Sequence, residues 1–296
     1  MNKFISKITR CNYITNVYGI SRSLLAMGLL LTLIFNSTDI LFQFDEVFIK
    51  NVKLNPLFNY NYFYIFRENL LLSKLIAILI LLTVIIGIWS RYTVVLHWWL
   101  SISFFSSALV IDGGDQISAI LTLLLIPFGL VDNRKWHWSK PKNEISDYYK
   151  IFIFFVFITI RVQASVVYFF SAALKMKEPH WQDGTVLYYW FTHPVFGAND
   201  FFYAISRPLI ESPLIAIATW SVIILEVILS MALVMKKNYR KHLFVIGVLF
   251  HFSIILIHGL FSFFFSITAL LIIYLLPIEK QINFNKIKKN VYEFRK

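Results

Sequence analysis

Eight apolar runs, each close to the length of a bilayer-crossing helix, follow one another along the chain. They cover approximately residues 20–42, 70–90, 92–111, 117–131, 148–176, 213–235, 242–260 and 261–277. A spanning helix needs roughly 17–25 predominantly apolar residues, so each run is read as one crossing. The 296 residues are 58% hydrophobic and only 15% charged. A water-soluble domain of that length cannot hide so much apolar surface. The expected fold is therefore all-α, a polytopic integral membrane bundle of about eight transmembrane helices, forming a single membrane domain over residues 1–296. The first run begins near Ile20 without a small-residue cleavage site and reads as a retained helix, not a signal peptide.

Charge sets the orientation. The net charge is +12, but the basic residues sit in short clusters between apolar runs, which argues against a nucleic-acid partner. With the N-terminus in the cytoplasm, the inner segments hold Lys3, Lys7, Arg10 and Arg22, then Arg91, then Arg134, Lys135, Lys140, Lys142 and Lys150. Lys236, Lys237, Arg240 and Lys241 follow, and residues 279–296 form a basic tail. Positive charge resists translocation, so the pattern predicts both ends inside. Cys11 is the single cysteine, which excludes an internal disulfide. Two outer segments, 43–69 and 177–212, are long enough to meet a partner, and both are rich in aromatic residues that suit the interface.

Ionisable groups within apolar runs are costly and need a reason. Arg161 lies in the middle of the fifth run, and at about 100° per residue it shares a stripe with Tyr168 and Lys175. Glu226 lies within the sixth run, His97 in the third, and His251 and His258 share a face of the seventh. One reading gathers acid, base and hydrogen-bond donors in an outward-facing cavity. The other pairs Arg161 with Glu226 to pin two helices and leaves the histidines as interhelical donors. The two histidines are two turns apart, so no metal site is expected. Asp112-Gly113-Gly114-Asp115 forms a tight outer turn in which the acids either cap the next helix or orient a cavity group. There is no P-loop, dinucleotide fingerprint, HExxH or GxSxG.

The stretch Val167 to Lys175, continued through Trp181-Gln182-Asp183-Gly184-Thr185, resembles the horizontally transferred transmembrane domain shared with vitamin K-dependent gamma-carboxylases. Arg22 entering the first helix, the turn from Asp112 to Gln116 and Glu226 also resemble that domain, over about residues 12–276. Within it the chain is similar to the sporulation-delaying protein B family of bacteria. The residues that carry this are Asn16 to Ala26, Asn36-Ser37-Thr38, Arg134 to Trp138 and Asp183-Gly184-Thr185 with Tyr188 to Pro194.

This resemblance implies a multi-pass protein of the bacterial cell membrane that matures a secreted peptide toxin. Its partners would be a small A-type protein and the toxin precursor. In the carboxylases the outer-mouth lysine is the base that starts oxidation of a reduced quinone, and the matching residue here is Lys175. Lys175 lies six residues before Trp181 and Lys177 lies four before it, against five in the carboxylases. Lys175, Arg161 and Glu226 are accordingly the catalytic candidates. Tyr168, Trp181, His251, His258, Asp112, Asp115 and Arg22 are the candidate cavity residues. A snorkelling Lys175 remains the bland alternative. An assembly or export factor without chemistry, and a peptide transporter or immunity protein, are the other functional readings.

Overall fold

The computed structural model describes residues 3–45, 56–139 and 145–282. Part of the outer segment 43–69, Lys140 and Lys142, and most of the basic tail 279–296 lie outside the described residues. Those that are described form helices and no strand, with two isolated bridges, Phe42 to Ala108 and Ile88 to Trp136. The N-terminal half holds α1 (Lys3–Thr9), α2 (Asn16–Phe35), α3 (Thr38–Leu41), α4 (Tyr62–Ile65), α5 (Leu70–Ile86), α6 (Ser90–Ser107) and α7 (Gly113–Leu130). The other half holds α8 (Asp147–Lys175), the short α9 (Pro179–Gln182) and α10 (Val186–Phe191), then α11 (Asp200–Ile210), α12 (Leu214–Met231), α13 (Lys237–His258) and α14 (Phe261–Leu275).

Six helices are long and apolar enough to cross a membrane: α2, α5 with the turn before it, α7, α8, α12 and α13. Of the other two apolar runs, α6 is diluted by Arg91, His97 and several serines, and α14 has only 15 residues. The outward faces suit lipid. Leu71, Leu75 and Leu79 of α5, Phe155, Val162 and Phe169 of α8, and Val245, Leu249 and Phe252 of α13 are all exposed. Apolar surface on this scale has no place in water, and it marks a membrane protein.

Local chemistry sets the helix ends. Thr15 caps α2 by accepting from Val17 N, and Asn69 caps α5 by accepting from Leu72 N. Gly87 ends α5 in the left-handed region at φ 88°, where a side chain would be strained and would strike the His137 ring. α14 is buried from Ser266 to Leu275, as expected of a helix apolar on every side. It packs against α2, so the first long helix meets the last.

Hydrogen bonds sort the connections into two ends of the bundle. At one end Thr15 Oγ1 donates to Ile278 O and Asn16 Nδ2 to Ile282 O, while His137 N donates to Gly87 O. The α12–α13 turn joins the same end through Lys237 and Glu279, 2.7 Å apart. At the other end Leu109 N donates to Leu41 O, Ser262 Oγ to Asp112 Oδ2, and a ring nitrogen of His258 meets Phe196 O at 2.6 Å. Both described chain ends thus lie together, at the end that carries Lys7, Arg91, Lys135 and Lys237.

Candidate functional site

The site begins with spacing. Tyr168, Ser171 and Lys175 are three and four residues apart and share one face of α8. That face runs antiparallel to α12. Arg161 Nη2 donates to Leu233 O, Ser165 Oγ to Ser230 O, and Ser171 Oγ to Glu226 Oε1. Helical side chains lean towards the N-terminus of their own helix, so Lys175 reaches back into the bundle rather than out to water. Its Nζ lies 2.7 and 2.9 Å from the two Glu226 oxygens and 2.7 Å from Ser171 Oγ. All three ammonium donors are therefore engaged. The Glu226 side chain is 7% exposed and that of Lys175 22%, so solvent can approach only from the lysine side.

Trp181 closes that side, its ring centroid 5.3 Å from Lys175 Nζ, within cation–π range. It is carried by α9, and the following Gly184 holds the loop against α12. Gly184 is left-handed at φ 80°, and a Cβ there would collide with Ala216. Lys177, two residues on, is exposed. Of the two lysines, Lys175 enters the bundle and Lys177 does not.

Beside the pair lies a cavity of about 270 Å³. Its polar lining is Gln116, Gln163, Tyr168, Ser171, Glu226 and His251, and its walls are aliphatic residues of α7 and α14 with Phe263. The Tyr168 hydroxyl is buried and has no hydrogen-bond partner among the described residues. His251 Nδ1 lies 2.7 Å from Gly247 O, which can only accept, so Nδ1 carries a proton. The site thus offers one ion pair, a free phenol and an imidazole along one side of an apolar slot.

The remaining sequence candidates lie elsewhere. Arg161 does not pair with Glu226. It donates to Tyr274 O and Leu233 O at the basic end, because α8 is much longer than a membrane is thick and its midpoint falls near the ends of α12 and α14. Arg22 is buried at the same end, bonded to Ser90 Oγ and Thr93 Oγ1. Asp112 and Asp115 form a reciprocal capping box at the start of α7, and Gly113 and Gln116, not the two acids, face the cavity. His258 meets Phe196 O and sets its ring edge-on to Trp190, holding the loop after α10. His97 is buried in α6. Ser171, Gln163 and Gln116 were not among the sequence candidates. Ser171 could have been found, since it lies one turn below Lys175 on the Tyr168 face. Among the described residues no three His, Cys, Asp or Glu side chains gather as a metal site. A larger cavity, about 760 Å³, opens at the basic end, but its one acid, Asp132, is engaged by Arg134 at 2.8 Å and offers no free proton acceptor.

Fold and site together define a helical membrane protein with a lysine–glutamate pair set beside an apolar slot. Comparison with known proteins then gives its kinship. The chain is 36% identical over 281 residues to the uncharacterized protein YitO of Bacillus subtilis (strain 168), covering 93% of this chain and 90% of that one. It is 35% identical over 288 residues to sporulation-delaying protein SdpB of the same organism, covering 96% of this chain and 88% of SdpB. The chain belongs to the SdpB family. No family model matches it, and no solved structure gives a significant match.

Proposed function

We propose that this chain is a multi-pass protein of a bacterial cell membrane that acts in producing a secreted peptide toxin of the sporulation-delaying type, with the Lys175–Glu226 pair as its working centre. Similarity to SdpB along nearly the whole chain supports the process. The observation that carries the site is the pair itself: two opposite charges held 2.7 Å apart inside the bundle and reached from one side. We read α6 and α14 as crossings beside the six longer helices, giving eight, with the basic end in the cytoplasm. The toxin precursor and a small A-type partner would then approach the opposite end, where residues 177–212 surround Trp181.

The pair limits the chemistry. With every Nζ donor committed, the group free to take a proton is the Glu226 carboxylate. Lys175 becomes a base only after passing its own proton across the 2.7 Å contact. The resemblance to the membrane domain of the gamma-carboxylases accords with this placement of a lysine at the outer mouth. The slot also suits the reduced quinone that such a resemblance implies, since apolar walls would take the ring while the Tyr168 hydroxyl and Glu226 would meet its oxygens. When bound, such a quinol would supply weakly acidic hydroxyls and two electrons.

A second reading has its own support. The two bonds from Nζ to Glu226 and the one from Ser171 Oγ to Glu226 are what a clamp between α8 and α12 requires, as in an assembly or export factor with no chemistry. Mass spectrometry of the peptide secreted by cells expressing precursor, partner and each variant, at matched membrane levels, separates the two. Lys175→Met and Glu226→Gln are each expected to lower mature peptide by about 10²-fold or more, and Lys177→Met to leave it unchanged. The double variant Lys175→Met/Glu226→Leu restores an uncharged packed contact. Full production by that variant would sink the chemical role and leave the clamp.

A further inference from the structure

Arg161, left aside by the outer site, sits in a different cavity of about 430 Å³ at the basic end, between α1, the first half of α8, the start of α13 and the end of α14. Two guanidinium groups converge there. Arg161 Nη2 and Arg240 Nη2 both point at the one Leu233 carbonyl oxygen, at 3.2 and 3.5 Å. Arg161 Nε takes Tyr274 O and Arg240 Nε takes Met235 O. These are carbonyls at the ends of α12 and α14, whose helix dipoles offset part of the charge but carry no full negative charge.

Among the described residues no free carboxylate completes the balance. Lys7, Lys241 and Lys280 also line the cavity, and its one acid, Glu279, is engaged by Lys237 at 2.7 Å. Each guanidinium has five N–H donors, and the bonds above use two of each, leaving Nη1 of both uncommitted among the described residues. Two like charges that share one acceptor repel each other, and an anion lying across them relieves that repulsion.

The other walls decide which anion. Phe4, Phe154, Phe157 and Ile158 line the cavity, and Phe4 and Phe154 meet edge to face at 6.0 Å. The exposed Phe152 and Phe155 continue this apolar surface along the lipid-facing side of α8. Free phosphate has no use for such walls, but a headgroup with acyl chains does. From these contacts we infer that the cavity is a binding site for an anionic phospholipid of the leaflet at the basic end. Its phosphodiester bridges Arg161 and Arg240, and its chains run down α1 and α8. The inference needs only the membrane placement of the bundle and is independent of the toxin role.

The test is thermal unfolding of the purified full chain in neutral detergent, titrated with phosphatidylglycerol, phosphatidylcholine or inorganic phosphate. Phosphatidylglycerol is expected to raise the midpoint saturably while the other two do not. Arg240→Gln should shift half-saturation to about five-fold more lipid, and Lys7→Gln/Lys241→Gln to about five-fold more for each charge removed. The double variant touches no helix-end bond, so it keeps the test valid if Arg240→Gln fails to fold. Lys150→Gln, away from the cavity, should titrate as the native chain. Equal protection by inorganic phosphate would overturn the lipid assignment in favour of a free-anion site. Equal half-saturation in the native chain and the double variant would overturn the site itself.

Discussion

His137 shows how a single side chain can organise one end of a membrane bundle. Its ring is fully buried beneath Gly19 and Gly87, and a Cβ at either glycine would press on it. Burial, followed by the nearby charges of Arg22 and Arg134, pushes its pKa down to about 3. The folded state therefore prefers the neutral ring, while the unfolded chain titrates near 6.5. The resulting stabilisation is complete above pH 6.5 and is lost as pH falls towards 3. Between pH 7.5 and 5 the unfolding midpoint of the native chain should fall. His137→Asn should start lower and fall less steeply, and parallel slopes would contradict this account. Gly87→Ala combines a left-handed backbone with the ring contact, and thermal unfolding should show it about 1–3 kcal/mol less stable. The sequence marked Arg134 to Trp138 as a charged interfacial anchor and by resemblance, but nothing local reveals that a glycine fifty residues earlier leaves room for this ring.

At the scale of the helix, run length and composition told most of the story. Each apolar run contains one long helix, the first also holding the short α3, because the span requirement acts locally and leaves its mark locally. Position along a helix was less legible. α8 has 29 residues, about 43 Å at 1.5 Å per residue, against a hydrocarbon core of about 30 Å. Its midpoint is level with the ends of α12 and α14, where Arg161 meets Leu233 O and Tyr274 O. Lys175 is a further 14 residues along, about 21 Å deeper, and so its inward lean matters. Its pairing with Glu226 depends on the register of α8 against α12, which no local pattern encodes. Caps were legible in kind: Asp112 closes its box on Gly114 N and Asp115 N and also accepts from Ser262. Asp112→Ala should cost about 0.5–2 kcal/mol, read as a lower unfolding midpoint, with Asp112→Asn closer to native. Equal midpoints for all three would remove the cap from the account of α7.

Taken as a whole, the molecule separates the Lys175–Glu226 pair from its main basic clusters. The ion pair lies towards one end, and the clusters around Lys7, Lys135 and Lys237, with the proposed lipid cavity, lie at the other. The orientation can be read with cysteines, since Cys11 is the only native one and Cys11→Ser clears the background. A membrane-impermeant maleimide applied to intact cells should label Val195→Cys and leave Lys236→Cys unmodified. Both positions are exposed and lie at opposite ends of the bundle, and the reverse pattern would invert the topology. The packing of α2 against α14, with residues 15 and 16 bonded to 278 and 282, also sets a timetable. More than two hundred residues separate these helices. At roughly 5–20 residues per second of synthesis, α2 waits on the order of ten to forty seconds for its partner. During that interval the face of α2 that α14 will cover, around Gly28, meets only lipid or an insertion factor. A chain cut short before α14 would therefore leave that face of α2 without the helix that covers it.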